Sequence, residues 1–262
     1  MRTRLDAELV RRGLARSREH AVDLIESRSI LVRGIPASKP ATQVDAETSI
    51  TLAEARDEYV SRGGHKLAGA LDALSEISVS GKIALDAGAS TGGFTDVLLK
   101  RGASKVIAVD VGYGQLAWEL RQDPRVEIYD RTNVRTLSPE IIKDPVDLVV
   151  ADLSFISLTL VIPALTSVSR PEADFLIMVK PQFEVGREKL GAGGVVRDPQ
   201  LRRSAILEVA KSAHELGLGT LGVVASPLPG PSGNVEYFLW LRRGAAMIAE
   251  SAIDDAIAKG PQ

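Results

Sequence analysis

Two rhythms of apolar residues divide the chain. From residue 82 onward, short apolar runs alternate with helix-period stretches: 82–86, 105–110, 126–129, 147–152, 174–180, 219–225 and 235–241. Runs that are apolar at consecutive rather than alternate positions predict strands buried on both faces. Strands alternating with helices predict an open, mostly parallel α/β sheet, which binds ligands at the carboxyl ends of its strands. An amphipathic helix, His65-Lys-Leu-Ala-Gly-Ala-Leu-Asp-Ala-Leu, precedes the first strand.

The first 60 residues are patterned differently. Leu5, Leu9 and Leu14, then Ala21, Leu24 and Ile25, mark two short helical stripes broken at Gly13, and Ser17 is an N-cap for the second. Ser29–Arg33 and Ser49–Leu52 predict strands, with turns at Gly34–Pro36 and Lys39-Pro40. This predicts a small α+β domain over 1–60 and a larger domain over 61–262, with the polar stretch 54–64, EARDEYVSRGG, as linker and boundary.

Composition narrows the classes. The 262 residues are 45% apolar and 25% charged, which excludes intrinsic disorder and collagen-like structure. No apolar run reaches the length of a bilayer-spanning helix, and MRTRLDAELVRRG lacks the apolar core of a signal peptide, so the expectation is a cytoplasmic protein with no membrane partner. The absence of cysteine removes disulfides, thiolate zinc sites, iron–sulfur clusters and cysteine nucleophiles. His20, His65 and His214 are not paired at ligand spacing, so no metal is expected. The net charge of −2 hides an asymmetry: residues 1–40 hold nine Lys/Arg against five Asp/Glu, and residues 41–60 hold one against five. A basic patch ahead of a neutral body predicts a polyanion-binding appendage, although a solvated helix face reads the same way.

The most specific chemistry lies in Leu85-Asp-Ala-Gly-Ala-Ser-Thr-Gly-Gly-Phe-Thr. A strand ends at Asp86, a turn runs Gly88-Ala89-Ser90-Thr91-Gly92-Gly93, and a helix begins near Phe94. Glycines let backbone approach a ligand, and a helix N-terminus offers free N–H groups. With no GK[ST] the loop is not a Walker loop, nor does its spacing match GxGxxG. Asp110, followed by Val111, closes the next strand, where an acid can accept from ribose hydroxyls; Asp130 and Asp152 close the third and fourth. Acids at four successive strand ends, with no phosphate-binding lysine nearby, suit a ligand bearing hydroxyls and a positive charge. S-adenosylmethionine has both.

The acceptor is narrowed by what is missing. Asp152-Leu-Ser-Phe lacks the proline pair typical of methyltransferases acting on exocyclic base nitrogens, and no cysteine is present to attack a pyrimidine ring carbon. That leaves charged residues at the rim: Lys66, Asp152, Lys180 and Glu236. Each alone reads equally well as an ordinary ion pair. A lysine closing an apolar strand can orient a hydroxyl or take its proton.

The Lys66–Asp152–Lys180–Glu236 set resembles the Lys-Asp-Lys-Glu tetrad of FtsJ/RrmJ-like ribose 2′-O-methyltransferases. Arg4-Leu-Asp, Gly13-Leu, Ser17-Arg, Ala21, Leu24-Ile25, Ile30, Val32, Gly34 and Lys39-Pro40 resemble the small RNA-binding domain first seen in ribosomal protein S-four. Joined by Ser61-Arg-Gly-Gly-His-Lys-Leu, and with Lys180-Pro-Gln-Phe-Glu and Gly191–Asp198, the whole resembles the TlyA (haemolysin A) family of ribosomal RNA 2′-O-methyltransferases. The resemblance implies a Rossmann-like class I methyltransferase sheet behind a small α+β RNA-binding domain. It implies S-adenosylmethionine held by Asp86, Gly88 to Phe94, Asp110, Val111, Asp130 and Asp152. Lys180 would be the central catalytic residue, with Asp152, Lys66 and Glu236 positioning it and the ribose of a cytidine. Arg4, Arg16, Arg18 and Lys39 would contact ribosomal RNA or an assembled subunit, with no metal required. Two other classes stand beside it: an RNA-binding module on an inactive methyltransferase fold, and a pore former, for which the sequence offers no membrane-spanning element.

Overall fold

The computed structural model describes residues 2–26, 29–52 and 58–261. The chain divides into two compact units, Met1–Glu58 and Tyr59–Gln262.

In the first unit β1 (Thr3–Arg4) leads into α1 (Leu5–Arg11), followed by α2 (Arg18–Glu26), β2 (Ile30–Val32), β3 (Ile35–Pro36), β4 (Gln43–Val44) and β5 (Ile50–Leu52). Leu5, Leu9, Ala21, Ile25, Ile30, Val44 and Ile50 form its core. Helix α1 stops at Arg11, so Leu14 lies beyond it and packs on the core from the following turn. Ser17 Oγ accepts from the His20 N–H at 3.1 Å, the cap expected of it. The turn expected over Gly34–Pro36 is shorter: the chain reverses at Arg33-Gly34, and Ile35 and Pro36 run back opposite Val32 and Leu31. Pro36 is accommodated because β3 is an edge strand in the order β3-β2-β5. The pairing of β1 with β4 has no local signal, because two residues on each side carry no periodicity.

The second unit comprises α3 (Gly63–Ala73), β6 (Ile83–Ala87), α4 (Gly93–Lys100), β7 (Lys105–Val109), α5 (Trp118–Arg121), β8 (Val126–Tyr129), β9 (Val146–Ala151), α6 (Ile162–Ser167), β10 (Ser169–Val179), α7 (Pro181–Glu184), α8 (Pro199–Glu215), β11 (Leu218–Ala225), β12 (Tyr237–Arg243) and α9 (Glu250–Lys259). Its seven strands lie in the order β11-β12-β10-β9-β6-β7-β8. The five from β10 to β8 are parallel, and β12 runs antiparallel to both its neighbours. Alternate residues of each strand face opposite layers. Leu85, Val149 and Phe175 meet α6, α8 and α9, while Ala84, Leu148 and Leu176 meet α3 and α4. This two-sided burial is why the strands read as unbroken apolar runs. Strand β10 begins at Ser169, before the predicted residue 174, across a register irregularity that contains Pro171.

Residues 54–57 of the expected linker lie outside the described residues; the boundary between the two units falls after Glu58, within that stretch, and from Tyr59 on the chain belongs to the second unit. Tyr59 is buried in the second unit, and the glycine pair opens α3 instead of preceding it. A Cβ at Gly64 would strike the Tyr59 side chain, and one at Gly93 would strike Ser61 Oγ and the Gly64 nitrogen. The bare Gly93 lets α4 approach the start of α3 closely, and the bare Gly64 lets Tyr59 pack on α3.

Candidate active site

The strand order sets Asp152, Asp86, Asp110 and Asp130 side by side at the carboxyl edge, on or just past β9, β6, β7 and β8. Their surroundings differ. Asp110 accepts from the Ser90 N–H at 2.8 Å and the Gly112 N–H at 2.7 Å, tying the glycine-rich loop to the loop after β7. Asp130 accepts from the Gly114 N–H at 3.2 Å and from Arg121 at 3.3 Å. Asp86 does not reach the surface. It is wholly buried, one oxygen accepts from the Thr95 hydroxyl at 2.7 Å, and Oδ1 has no hydrogen-bond partner. Burial pushes its carboxyl up to about 7 against the pull of Thr95, and the charges of Asp152 and Asp110 add to the rise.

The loop residues likewise divide. Gly88 has φ +89°, and a Cβ there would fall 2.5 Å from the Asp152 carbonyl oxygen, so the loop packs directly on the strand end that carries Asp152. Ser90 and Thr91 are exposed, as is Val111, whereas Ala89 is buried. Gly92 packs under Leu116 and Leu120, and Gly93 against α3. Phe94 faces the core, stacked on Phe238 with ring centroids 6.0 Å apart, so its side chain does not front a ligand.

The four rim residues form two ion pairs. Lys180, just past β10, lies 2.5 Å from Asp152 Oδ1, and its Nζ donates to Ser154 Oγ at 3.0 Å. Lys66 on α3 donates to Glu236 at 2.5 Å, and both side chains are almost fully buried. The antiparallel register opposes Val179 to Tyr237, which makes Lys180 and Glu236 neighbours at one sheet edge. Both line a cavity of about 800 Å³ together with Ser154, Phe155, Gln182 and Asn234. A lysine held between a carboxylate and a hydroxyl at a cavity wall can bind and orient an incoming hydroxyl.

Phe155, Phe183 and Asn234, which line this cavity, and Glu184 next to Phe183 drew no individual notice in the sequence. Phe155 has φ +64° and is 91% exposed, and its ring lies 5.1 Å from that of Phe183. Glu184 accepts from Ser157 Oγ at 2.6 Å and the Leu158 N–H at 3.0 Å; burial pushes its carboxyl above the usual range against both bonds. Asn234 is buried and bridges backbone, accepting from the Val196 N–H at 2.9 Å and donating to the Gly194 carbonyl at 3.0 Å. The only sequence signal for Phe183 and Glu184 is their place in Lys180-Pro-Gln-Phe-Glu. Phe155 carries none, since nothing local marks an aromatic as exposed.

In the first unit Arg4 and Arg18 converge on the buried Asp6, at 2.9 and 3.1 Å. The bond from Arg4 holds the Asp6 carboxyl at about 2, against burial. Arg16 and Lys39 are exposed and carry no ion pair among the described residues. Arg12 is committed internally, to Glu8 and to the carbonyls of Asp45, Ala46 and Thr48.

Residues 59–243 match the FtsJ-like methyltransferase family and residues 3–50 match the S4 domain. The chain is 58% identical to the 16S/23S rRNA (cytidine-2′-O)-methyltransferase TlyA of Mycobacterium tuberculosis, over 99% of each chain. It is 37% identical to Hemolysin A of Brachyspira hyodysenteriae, over 89% of this chain and 97% of that one. A solved structure from Streptococcus thermophilus, provisionally named a haemolysin, is 36% identical with a TM-score of 0.78, covering 98% of this chain and 95% of the other. Among the described residues no helix is long and apolar enough to cross a membrane.

Proposed function

The chain belongs to the TlyA family of FtsJ-like methyltransferases with an N-terminal S4 domain, and on that footing we propose that it transfers the methyl group of S-adenosylmethionine to the ribose 2′-hydroxyl of a cytidine in ribosomal RNA. The observation that carries this reading is Lys180 Nζ, held between Asp152 and Ser154 at the wall of a cavity that Glu236 also lines. No cysteine or proline pair offers the alternative chemistry of a base methyltransferase.

The acid-lined edge fits that cofactor. Asp110 and Asp130 keep lone pairs for ribose hydroxyls beyond the backbone bonds they already accept, and the loop from Gly88 to Thr91 brings backbone close to Asp152 without a side chain at Gly88. When bound, the cofactor supplies an electrophilic methyl on a positively charged sulfur. Asp152 balances charge at that edge and fixes Lys180. Lys180 orients the 2′-oxygen for in-line attack; the O–CH₃ bond forms as the S–CH₃ bond breaks, and the hydroxyl proton leaves to the Lys180–Asp152 pair. Holding the two reactants in line supplies much of the rate, so no metal is called for. Lys66 neutralises Glu236 in a dry environment and keeps that carboxylate at the cavity wall. The exposed ring of Phe155 offers a face on which an unstacked base can lie.

Arg4, Arg16, Arg18 and Lys39 supply phosphate contacts from the first unit, with Arg4 and Arg18 pre-oriented by Asp6. A ribosomal substrate implies a cytoplasmic protein. The test is methyl transfer from labelled S-adenosylmethionine to unmodified small and large ribosomal subunits, read by nucleoside mass spectrometry. Label on cytidine ribose is the expected result. Label on a base would overturn the role of Lys180, and cofactor binding with no transfer to either subunit would favour an inactive RNA-binding module.

A further inference from the structure

The segment Lys180–Glu184 grips the loop after β9 at three successive places. Lys180 Nζ reaches Asp152 at 2.5 Å and Ser154 at 3.0 Å. The Phe183 ring lies against that of Phe155. Glu184 accepts from Ser157 Oγ at 2.6 Å and from the Leu158 N–H at 3.0 Å. Lys180 and Glu184 stand at the two ends of the one-turn helix α7, so the lysine and the far end of the loop share one short frame.

That loop needs an external hold. Phe155 sits in the left-handed region at φ +64°, which an L side chain adopts only at a cost, and a residue that is 91% exposed buries too little surface to offset it. Asp152 and Ser154, the two groups that aim Lys180, come immediately before this strained residue; Ser157 and Leu158, the two donors to Glu184, come shortly after it. The strained turn is thus pinned on both sides by groups from α7. A carboxylate is retained here although burial and the charge of Glu208 both disfavour its ionised form.

We propose that Glu184 is a positioning residue for methyl transfer, anchoring the loop so that Asp152 and Ser154 keep Lys180 Nζ directed at the acceptor hydroxyl. The inference rests on the ribose-methyltransferase reading above. A plain capping role at the single turn Leu158–Leu160 would require the same hydrogen bonds, but its loss would lower stability and leave the chemical step unchanged.

Three full-length variants separate these cases: Glu184→Ala, Glu184→Gln and Ser157→Ala. Amide hydrogen exchange across residues 153–160 reports the loop without any turnover, calorimetry reports cofactor affinity, and steady-state methylation of ribosomal subunits separates kcat from KM. For Glu184→Ala we expect exchange at 155–158 to quicken about 10-fold or more and kcat to fall about 10- to 100-fold, the scale of an ångström-level misplacement. Cofactor Kd and subunit KM should stay within about 3-fold. Glu184→Gln should recover kcat to within about 3-fold, because its amide oxygen still accepts from Leu158 and its amide nitrogen can donate to Ser157. Ser157→Ala, which leaves Glu184 its bond from the Leu158 N–H but also removes the cap that Ser157 Oγ accepts from the Thr159 N–H, should lower kcat about 3- to 10-fold. Unchanged exchange or unchanged kcat in both alanine variants overturns the inference, as does a kcat loss no larger than the loss of folded protein. A wild-type enzyme that methylates neither subunit overturns the functional reading instead, and the exchange data still decide whether Glu184 holds the loop.

Discussion

Two buried aspartates occupy opposite edges of the same sheet and are treated in opposite ways. Asp174, at the start of the apolar part of β10, accepts from Lys82 at 2.9 Å, the Trp240 indole at 2.8 Å and Arg242 at 2.9 Å. Burial pushes its carboxyl up, but these donors outweigh it and leave the carboxyl below the usual range. Asp86, at the carboxyl edge beneath the glycine-rich loop, has one hydroxyl donor and an oxygen with no partner, and burial takes it to about 7. At one edge the buried charge is saturated and serves the fold. At the other it is left short of partners, with one oxygen unsatisfied beneath the glycine-rich loop. Saturation, more than burial alone, separates the carboxylate held charged from the one held protonated.

The contrast breaks most visibly at the lysines. Lys180→Ala should lower methyl transfer by about 10³-fold or more while cofactor affinity and thermal stability stay near wild type, since Lys180 works at a cavity wall. A loss of cofactor binding as large as that of a glycine-loop variant would remove Lys180 from the chemistry. Asp174→Ala should do the reverse. It strands Lys82, Trp240 and Arg242 and should cost about 3–5 kcal/mol in denaturant unfolding, with activity per folded molecule intact.

A pH series sharpens the same comparison. The folded state holds the Asp86 proton up to about 7, whereas an ordinary aspartate releases it near 3.8, so this group's contribution is full below that range and is lost as pH rises through it. The stability of Asp86→Asn relative to wild type should therefore rise by on the order of 4 kcal/mol between pH 3 and pH 8. A gap independent of pH would mean that Asp86 is not raised. The smallest effect belongs to the first unit, where the same distinction applies to cations. Arg16→Ala should weaken ribosomal RNA binding about 2- to 5-fold and reduce the salt slope by about one. Arg12→Ala, which removes a side chain bonded to Glu8 and three carbonyls, should instead unfold that unit more easily.

Much of this molecule was legible before folding. Most of the seven strands are near-continuous apolar runs because both faces of the sheet are covered, and that pattern survives in a single line of residues. The acids at four strand ends and the glycine loop were legible for the same reason, since a parallel sheet sends successive strand ends to one edge. The glycine pair Gly63-Gly64 misled because a glycine that lets a side chain such as Tyr59 pack on a helix looks, in sequence, like one that lets a chain flex.

From its sequence alone, the chain's fold class, the sign of its charges and the candidate chemistry at one sheet edge were determined, because these depend on residue type and local period. Only the tertiary structure decided which candidates share partners. It paired Lys180 with Asp152 and Lys66 with Glu236, sank Asp86 and the Phe94 ring beneath the surface, and left Phe155 exposed above the cavity. Pairing and burial are properties of distance in space, and contacts such as Lys66 with Glu236, 170 residues apart, leave no local trace.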